Sequence, residues 1–207
     1  MTVPSARADA RRSELVGAAS EVILTRGYRN CSVADITARA GVAHGTFYNY
    51  FDSRREVLDA VIEHEFGALV AEVIGDDQLE AAESIDAFVA QFARMLGRVK
   101  ATVAQRPELI RFVLYDAAAV DQEVIARLLG LFDRISEYSA VFVRNGVAHG
   151  FLCSGIEVAV AADTITSVLS ACALVVLREL ENGGTLSPEA NARTLEPYVD
   201  FVVHALT

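Results

Sequence analysis

The segment "GVAHGTFYNYF", Gly41 to Phe51, places Phe47, Tyr48, Tyr50 and Phe51 within five positions, in a chain with ten Phe and six Tyr among 207 residues. Aliphatic residues would serve an ordinary core segment, so both the density of rings and the choice of two tyrosines need a cause. On a helical wheel of about 100° per residue, Phe47 and Phe51 are i, i+4 neighbours and point one way. Gly45 and Asn49 point the opposite way, with Thr46 nearby, and Tyr48 and Tyr50 flank the paired phenylalanines. Two rings can anchor a helix too short to be stable alone. The two tyrosine hydroxyls then stand at the edges of an exposed face, where they can reach phosphates on both walls of a groove. Gly45 removes bulk where such a helix would come closest to base edges. The competing reading of the same wheel is a buried aromatic hairpin without function, and the flanking sequence separates the two.

Upstream, "SELVGAASEVILTR" (13–26) has apolar residues at 15, 18, 19, 22 and 23, a helical face, with Ser13 as the expected cap and Gly27 as a left-handed end. "SVADITARAG" (32–41) pairs Ser32 with Asp35 in the manner of a capping box. It carries a stripe of Val33, Ile36 and Ala40 and stops at Gly41. A third short helix fits between His44 and Phe51. Ser53-x-x-Glu56 then opens a long amphipathic helix through Val57, Val61, Ile62, Phe66 and Leu69. Two short helices joined by a tight glycine turn read as a helix-turn-helix.

Beyond it, helices are expected at about 80–104, 107–119, 121–148, 155–182 and 188–206. Pro107, Asp121, Gly150, Gly155, the "NGG" of 182–184 and Pro188 punctuate them. No period-2 alternation and no internal repeat is present. The expected fold is all-α: an N-terminal three-helix head with a helix-turn-helix, then a larger C-terminal helical bundle, about nine helices in total. The expected division is a DNA-binding domain over 1–53 and an effector-binding and dimerisation domain over 54–207.

A chain that is 53% hydrophobic and 22% charged can bury a core and is not disordered. Its net charge of −10 is uneven: residues 1–60 hold eight Arg against seven acids, and the remainder ten basic against twenty-one acidic residues. An acidic body with an Arg-bearing, non-acidic end is compatible with one terminus approaching a polyanion. Cys31, Cys153 and Cys172 show no CxxC spacing, which fits a reducing cytoplasm. No apolar stretch follows the Arg-dotted first twelve residues. The uncharged run Thr164–Leu177 is short of the roughly 20 residues of a span, so a buried helix, no membrane contact and a cytoplasmic location are expected.

The order "SVADITARAGVAHGTFYNYFDSRREVLDAV" resembles the DNA-binding signature of the TetR family of bacterial transcriptional regulators, over about residues 12–62. Ile36, Ala40-Gly41-Val42, Gly45-Thr46, Tyr48, Phe51 and the capped, Arg-bearing helix carry the resemblance; the remainder matches in layout only. The resemblance implies a homodimer whose recognition helices enter successive major grooves of a (pseudo)palindromic operator in double-stranded DNA. Carried over, His44, Gly45 and Asn49 face base edges, and Thr46, Tyr48 and Tyr50 contact phosphates. Arg54 or Arg55 takes the place of a phosphate-binding Lys. The bland alternatives are a solvated turn histidine for His44 and plain helix solubilisation for Arg54 and Arg55. Arg11 and Arg12 read equally as a phosphate-binding arm or a frayed terminus. Three departures stand out. Ala43 occupies the position where a Ser usually caps, worth about 1 kcal/mol; Ala34 offers no polar group; and Thr37 replaces the commoner Ala.

The resemblance further implies an effector site in the C-terminal helices. Phe88, Phe92, Met95, Leu96, Phe112, Tyr115, Phe132, Tyr138, Phe142, Leu169, Cys172 and Val176 offer an apolar lining with few polar tips, suited to a hydrophobic or amphipathic small molecule. Ordinary core is the competing reading for each. Arg111 could meet an effector carboxylate or pair with Glu108 or Asp116. The segment 155–182 is apolar nearly all round and needs cover on every side. Its twin in a second subunit, with 188–206 (Leu195, Val199, Val202, Leu206), would supply it as an isologous interface. The expected function is a repressor released by its effector, with helix 54–75 as the lever; an activator or an effector-independent regulator of the same fold is the alternative. No nucleophile elbow, metal cluster, P-loop or dinucleotide fingerprint appears. His44, His64, His149 and His204 are scattered, and Gly150 and Gly155 separate His149, Cys153 and Glu157. No enzyme activity, cofactor or metal is expected.

Overall fold

Helix α1 runs from Ala6 to Arg26, so it begins well before Ser13. Ser13 is an exposed residue inside the helix and not its cap. The residues ahead of it, "ARADARR", are good helix formers with Asp9 in the first turn, and nothing there stops the helix. Gly27 ends α1 at φ 76°, as a glycine can, but its ψ of 151° lies outside the left-handed helical region, in territory essentially reserved for glycine. The computed structural model describes residues 6–75, 80–116, 120–184 and 188–207, without the side chains at 6, 114 and 188–194.

After a 3-10 turn at Tyr28–Asn30 come α2 (Val33–Ala40), α3 (His44–Phe47) and α4 (Arg54–Ile74). They are followed by α5 (Ile85–Gln105), α6 (Pro107–Arg111), α7 (Gln122–Ala148), α8 (Val158–Glu181) and α9 (Pro188–Leu206). The fold is all-α, with nine α-helices and no strand among the described residues. Several boundaries differ from the sequence expectation. Helix α5 starts at Ile85 because the Ser84 hydroxyl accepts from the Ala87 N–H at 3.3 Å. The helix expected over 107–119 is α-helical only to Arg111 and widens into a π turn at Phe112–Asp116. The periodicity of one or two turns cannot tell i→i+4 from i→i+5 bonding. Its expected end, 117–119, lies outside the described residues.

The chain forms two compact units, one of Met1–Ala68 with Arg111–Ile125 and one of Leu69–Ile110 with Ala126–Thr207. These cuts differ from the division expected at residue 53. In the first unit, Leu15, Ala18, Ala19, Val22 and Ile23 of α1 are buried with Ile36, Phe47, Phe51, Val57, Leu58, Val61, Ile62 and Phe66. The Ser20 hydroxyl donates to the Glu65 carboxylate in this interior, so both buried polar groups are satisfied.

In the second unit α5 packs against α8 and α9, and α8 against α9. Phe88 and Phe142 stack with ring centroids 4.1 Å apart, and Asn145 donates to the Ala82 carbonyl at 2.7 Å. Helix α8 is long and apolar enough to cross a membrane by length and composition, so the shortness of the run 164–177 does not settle the matter. Half of its most apolar window is buried inside the protein, which makes it a core helix. On α9, Val202 and Leu206 of the expected partner-facing stripe are buried in the chain's own interior, while Phe201 is 60% exposed.

Candidate nucleic-acid interface

The turn that aims α3 is built from backbone and cap geometry. Ser32 caps α2 through its hydroxyl, which accepts from the Asp35 N–H at 3.1 Å, and the Asp35 carboxylate accepts from the Ser32 N–H at 2.9 Å. The capping box is therefore complete, with Asp in the place of the usual Glu. Arg26 reaches the same carboxylate at 3.0 Å. The hydrogen bonds from Ser32, then the Arg26 charge, hold the Asp35 carboxyl below its usual range. At the other end Gly41 is left-handed (φ 67°, ψ 32°), its N–H donating to Ala38 and the Val42 N–H to Thr37, the two bonds of a Schellman motif. The departure at Thr37 proves structural: its hydroxyl is buried and turned back to the Val33 and Ala34 carbonyls at 3.0 and 3.2 Å.

Helix α3 is shorter than the expected 44–51. Past Phe47 the bonds Asn49→Thr46 and Tyr50→Phe47 tighten the chain to i→i+3, the usual way a helix end satisfies its carbonyls. The Phe51 N–H still reaches the Phe47 carbonyl at 3.1 Å, so the two rings stay adjacent, with centroids 5.6 Å apart and both buried. As the sequence implied for Ala43, no side chain caps α3.

His44, Gly45 and Asn49 are exposed and Thr46 and Tyr50 half-buried. Tyr48 is 52% exposed, with its ring 5.6 Å from that of His44. All six keep some solvent exposure, whereas Phe47 and Phe51 are buried. Gly45 has an ordinary φ, and a Cβ built on it would meet nothing within 4 Å. Neither backbone nor packing thus requires glycine there, although it costs a helix about 1 kcal/mol against alanine.

The arginines have partners within the chain. Arg54 stacks on Tyr28, with its guanidinium carbon 4.4 Å from the ring centroid, and donates to the Cys31 carbonyl. Arg55 is held by Asp59 at 3.2 Å, by Asp121 and by Glu123 at 3.4 Å. Arg11 pairs with Glu14 and Arg39 with Glu21, while Arg12 lies over the Phe51 ring at 4.8 Å. Exposed ion pairs are worth about 0–1 kcal/mol, and a charge-assisted bond to phosphate about 1.5–3, so such pairs do not withhold an arginine from DNA. The Ser53 cap forms as expected, its hydroxyl accepting from Glu56 N–H at 3.1 Å. The Glu56 carboxylate, however, accepts from Asp52 N–H at 2.7 Å, so the box is not closed on Ser53.

Residues 15–61 match the family model described as bacterial regulatory proteins, tetR family. The chain belongs to the TetR family of transcriptional regulators. It is a DNA-binding regulator and not an enzyme. The chain is 24% identical over 155 residues to the fatty acid metabolism regulator protein of Bacillus subtilis, covering 73% of this chain and 76% of that one. It is 24% identical over 205 residues to the transcriptional repressor KstR2 of Rhodococcus jostii, covering 95% and 91%. The structure of the regulator FadR from Bacillus subtilis in complex with stearoyl-CoA superposes with a TM-score of 0.73 at 18% identity, over 94% of this chain and 99% of that one. At that identity the likeness speaks for the fold.

The residues proposed for an effector do not all come together in this TetR-family chain. Phe88, Phe92, Met95, Phe142 and Cys172 are buried in the second unit, as are Leu96, Leu169 and Val176, with Phe132 half-buried. Phe112 is buried in the first unit. Tyr115 and Tyr138 are 49% and 46% exposed and line no interior, because a mid-helix ring at the edge of an apolar stripe can turn either way. Arg111 is exposed. Two features of the structure escaped the sequence reading: the acidic pair Asp121 and Glu123 around Arg55, and Lys100, which is buried.

Proposed function

We propose that this regulator is a repressor that binds a (pseudo)palindromic operator as a homodimer and is released by a hydrophobic or amphipathic small molecule. The observation that carries the DNA assignment is Gly45: an exposed helical glycine that the protein's own fold does not need, set between His44 and Thr46. His44, Gly45 and Asn49 face the base edges, and Thr46, Tyr48 and Tyr50 take the phosphates. Arg54 and Arg55 join them by exchanging their internal partners for phosphate. Support for repression comes from KstR2, a named repressor whose likeness spans nearly the whole chain. Support for an apolar, anion-bearing effector comes from the stearoyl-CoA held by the FadR of matching fold. Functionally, residues 1–53 read DNA and 54–207 hold the effector and the dimer contact, with α4 as the lever. An effector acts only through different affinities for the two states. Dimerisation uses the outward residues of α8 and α9, including Ala159, Val160, Ser167, Ala171 and Phe201, all exposed in the single chain.

The test is a fluorescence-anisotropy titration of the protein against the DNA flanking its own coding sequence, at two salt concentrations. Saturable, sequence-selective binding that weakens steeply with salt supports the reading. Binding no better than to a scrambled duplex, followed by failure to select any site from random DNA, sinks it.

A further inference from the structure

Lys100 is the one lysine among eighteen basic residues. It lies on α5, 3% exposed, and its Nζ has no hydrogen-bond partner among the described residues. Leu96 and Val103, one turn to either side on the same helix, are buried with it, as is Val99. The Cys172 thiol on α8 feels this charge. Burial pushes that thiol up to about 11 despite the lysine's positive charge, so it stays protonated and supplies no counter-charge. Glu179 acts on Cys172 and on Tyr198 of α9, but among the described residues no carboxylate hydrogen-bonds to Nζ. An ammonium taken out of water without a partner costs several kcal/mol. Buried polar groups in native proteins are otherwise satisfied, and an exception calls for an explanation, of which a bound anion is one.

We propose that the Lys100 ammonium is the anion-recognition point of an effector site inside the second unit, taking a ligand with an anionic head and an apolar tail. The head sits on Nζ beside Cys172, and the tail runs along the buried Phe92, Met95 and Leu96 of the same helix. This rests on the effector reading above and adds to it the residue that selects a charged ligand over a neutral one. Lysine suits the task as a compact point charge on a flexible stem. The head can be a free carboxylate or the phosphates of a nucleotide thioester.

Three probes of equal chain length separate the possibilities: dodecanoate, dodecanoyl-CoA and dodecanol. Calorimetric titration of the full chain is expected to show wild type binding one or both anions at least tenfold more tightly than the alcohol. In Lys100→Met that preference collapses while dodecanol binding is kept. Tight dodecanoate points to the free acid, and tight dodecanoyl-CoA alone to the thioester. The unliganded melting temperature of Lys100→Met is expected to rise, since a buried charge is replaced by an apolar isostere; a merely structural lysine would lower it. Lysine labelled with carbon-13 at Cε gives a single side-chain NMR signal in this chain, which reports on wild type without any substitution. It is expected to shift on adding the bound anion and not on adding dodecanol. Anion preference unchanged in the variant, or a Cε signal that ignores the bound anion, overturns the role of Lys100 and leaves the effector reading standing. If wild type binds none of the three probes, the effector reading falls and the proposal with it.

Discussion

Helix α3 has four residues and α8 has twenty-four, yet the short helix says more about function. Alone, α3 could not form. Its position is set by the Gly41 turn, the capped α2 behind it and the two rings beneath it, so each of its residues has one reason to be what it is. Phe47 is buried, Gly45 is free of any packing duty, and Tyr48 stands out in solvent. Helix α8 would be helical in many contexts. Its apolar circumference demands cover but does not name the cover: Ala162, Ile165 and Cys172 turn into the chain's own core, whereas Ala159, Val160 and Ala171 remain exposed. A marginal element is readable residue by residue because its neighbours over-determine it.

That contrast is broken most directly at Phe47. Truncating a fully buried phenylalanine typically costs 3–5 kcal/mol, and Phe47 is the ring on α3 itself, with Phe51 beside it. Phe47→Ala is expected to abolish operator binding and to split urea unfolding into two transitions, the head melting first. Ile165→Val, fully buried in α8, is expected to cost about 0.5–1.5 kcal/mol and to leave DNA affinity unchanged. Circular dichroism with anisotropy on the same samples decides. A single cooperative transition with intact DNA binding in Phe47→Ala would mean that α3 does not depend on its rings.

What was legible in the sequence follows the same line. The Ser32–Asp35 box, the Gly41 stop, the Phe47–Phe51 pair and the buried positions of α1 were all readable, because each rests on bonds or spacings within a few residues. The start of α1 was missed since "ARADARR" contains no stop, and Ser13 offered a plausible cap that tertiary structure had no use for. The settings of Arg54 and Arg55 were invisible: Cys31 and Asp121, which hold them, lie 23 and 66 residues away. For the same reason the stripe Val202 and Leu206 read as a partner's surface when it belongs to the chain's own core. Apolar spacing tells which side is covered and not by which helix.

A smaller effect is expected at the turn. Gly41 sits at φ 67°, where any L side chain pays a steric penalty of roughly 1–2 kcal/mol. Gly41→Ala should lower the urea midpoint of the head by that order and weaken operator binding in proportion. A Cβ there meets no other atom within 4 Å, so the penalty is purely conformational. Unchanged stability would show that the turn relaxes without loss.

Gly45 gives the opposite sign. With an ordinary φ and open space around a built Cβ, Gly45→Ala should raise head stability by about 0.5–1 kcal/mol. The same substitution should weaken specific DNA binding if the helix approaches base edges there. Stability and affinity moving in opposite directions is the outcome expected. Both rising together would place the DNA contact elsewhere on the head.

The smallest effect is a pH dependence at Asp35. Hydrogen bonds from Ser32, then the Arg26 charge, depress its carboxyl in the folded state. A depressed folded value means that the stabilisation is present above the ordinary Asp range of about 3.9 and is lost as pH falls through the lower folded value. Asp121, depressed by the Val124 N–H and then by Arg55, titrates in the same direction and window, so wild type alone cannot apportion the loss. Asp35→Asn can, because the amide oxygen still accepts from the Ser32 N–H while the charge is gone. At pH 7 the variant's head should melt at lower urea than wild type, and the two midpoints should converge as pH falls through the depressed folded value, the difference between them tracking Asp35 alone. A gap that stays constant from pH 7 down through the acid range below the ordinary Asp value would mean that the capping box works through geometry and that the charge, with Arg26, contributes nothing to holding α2 in place.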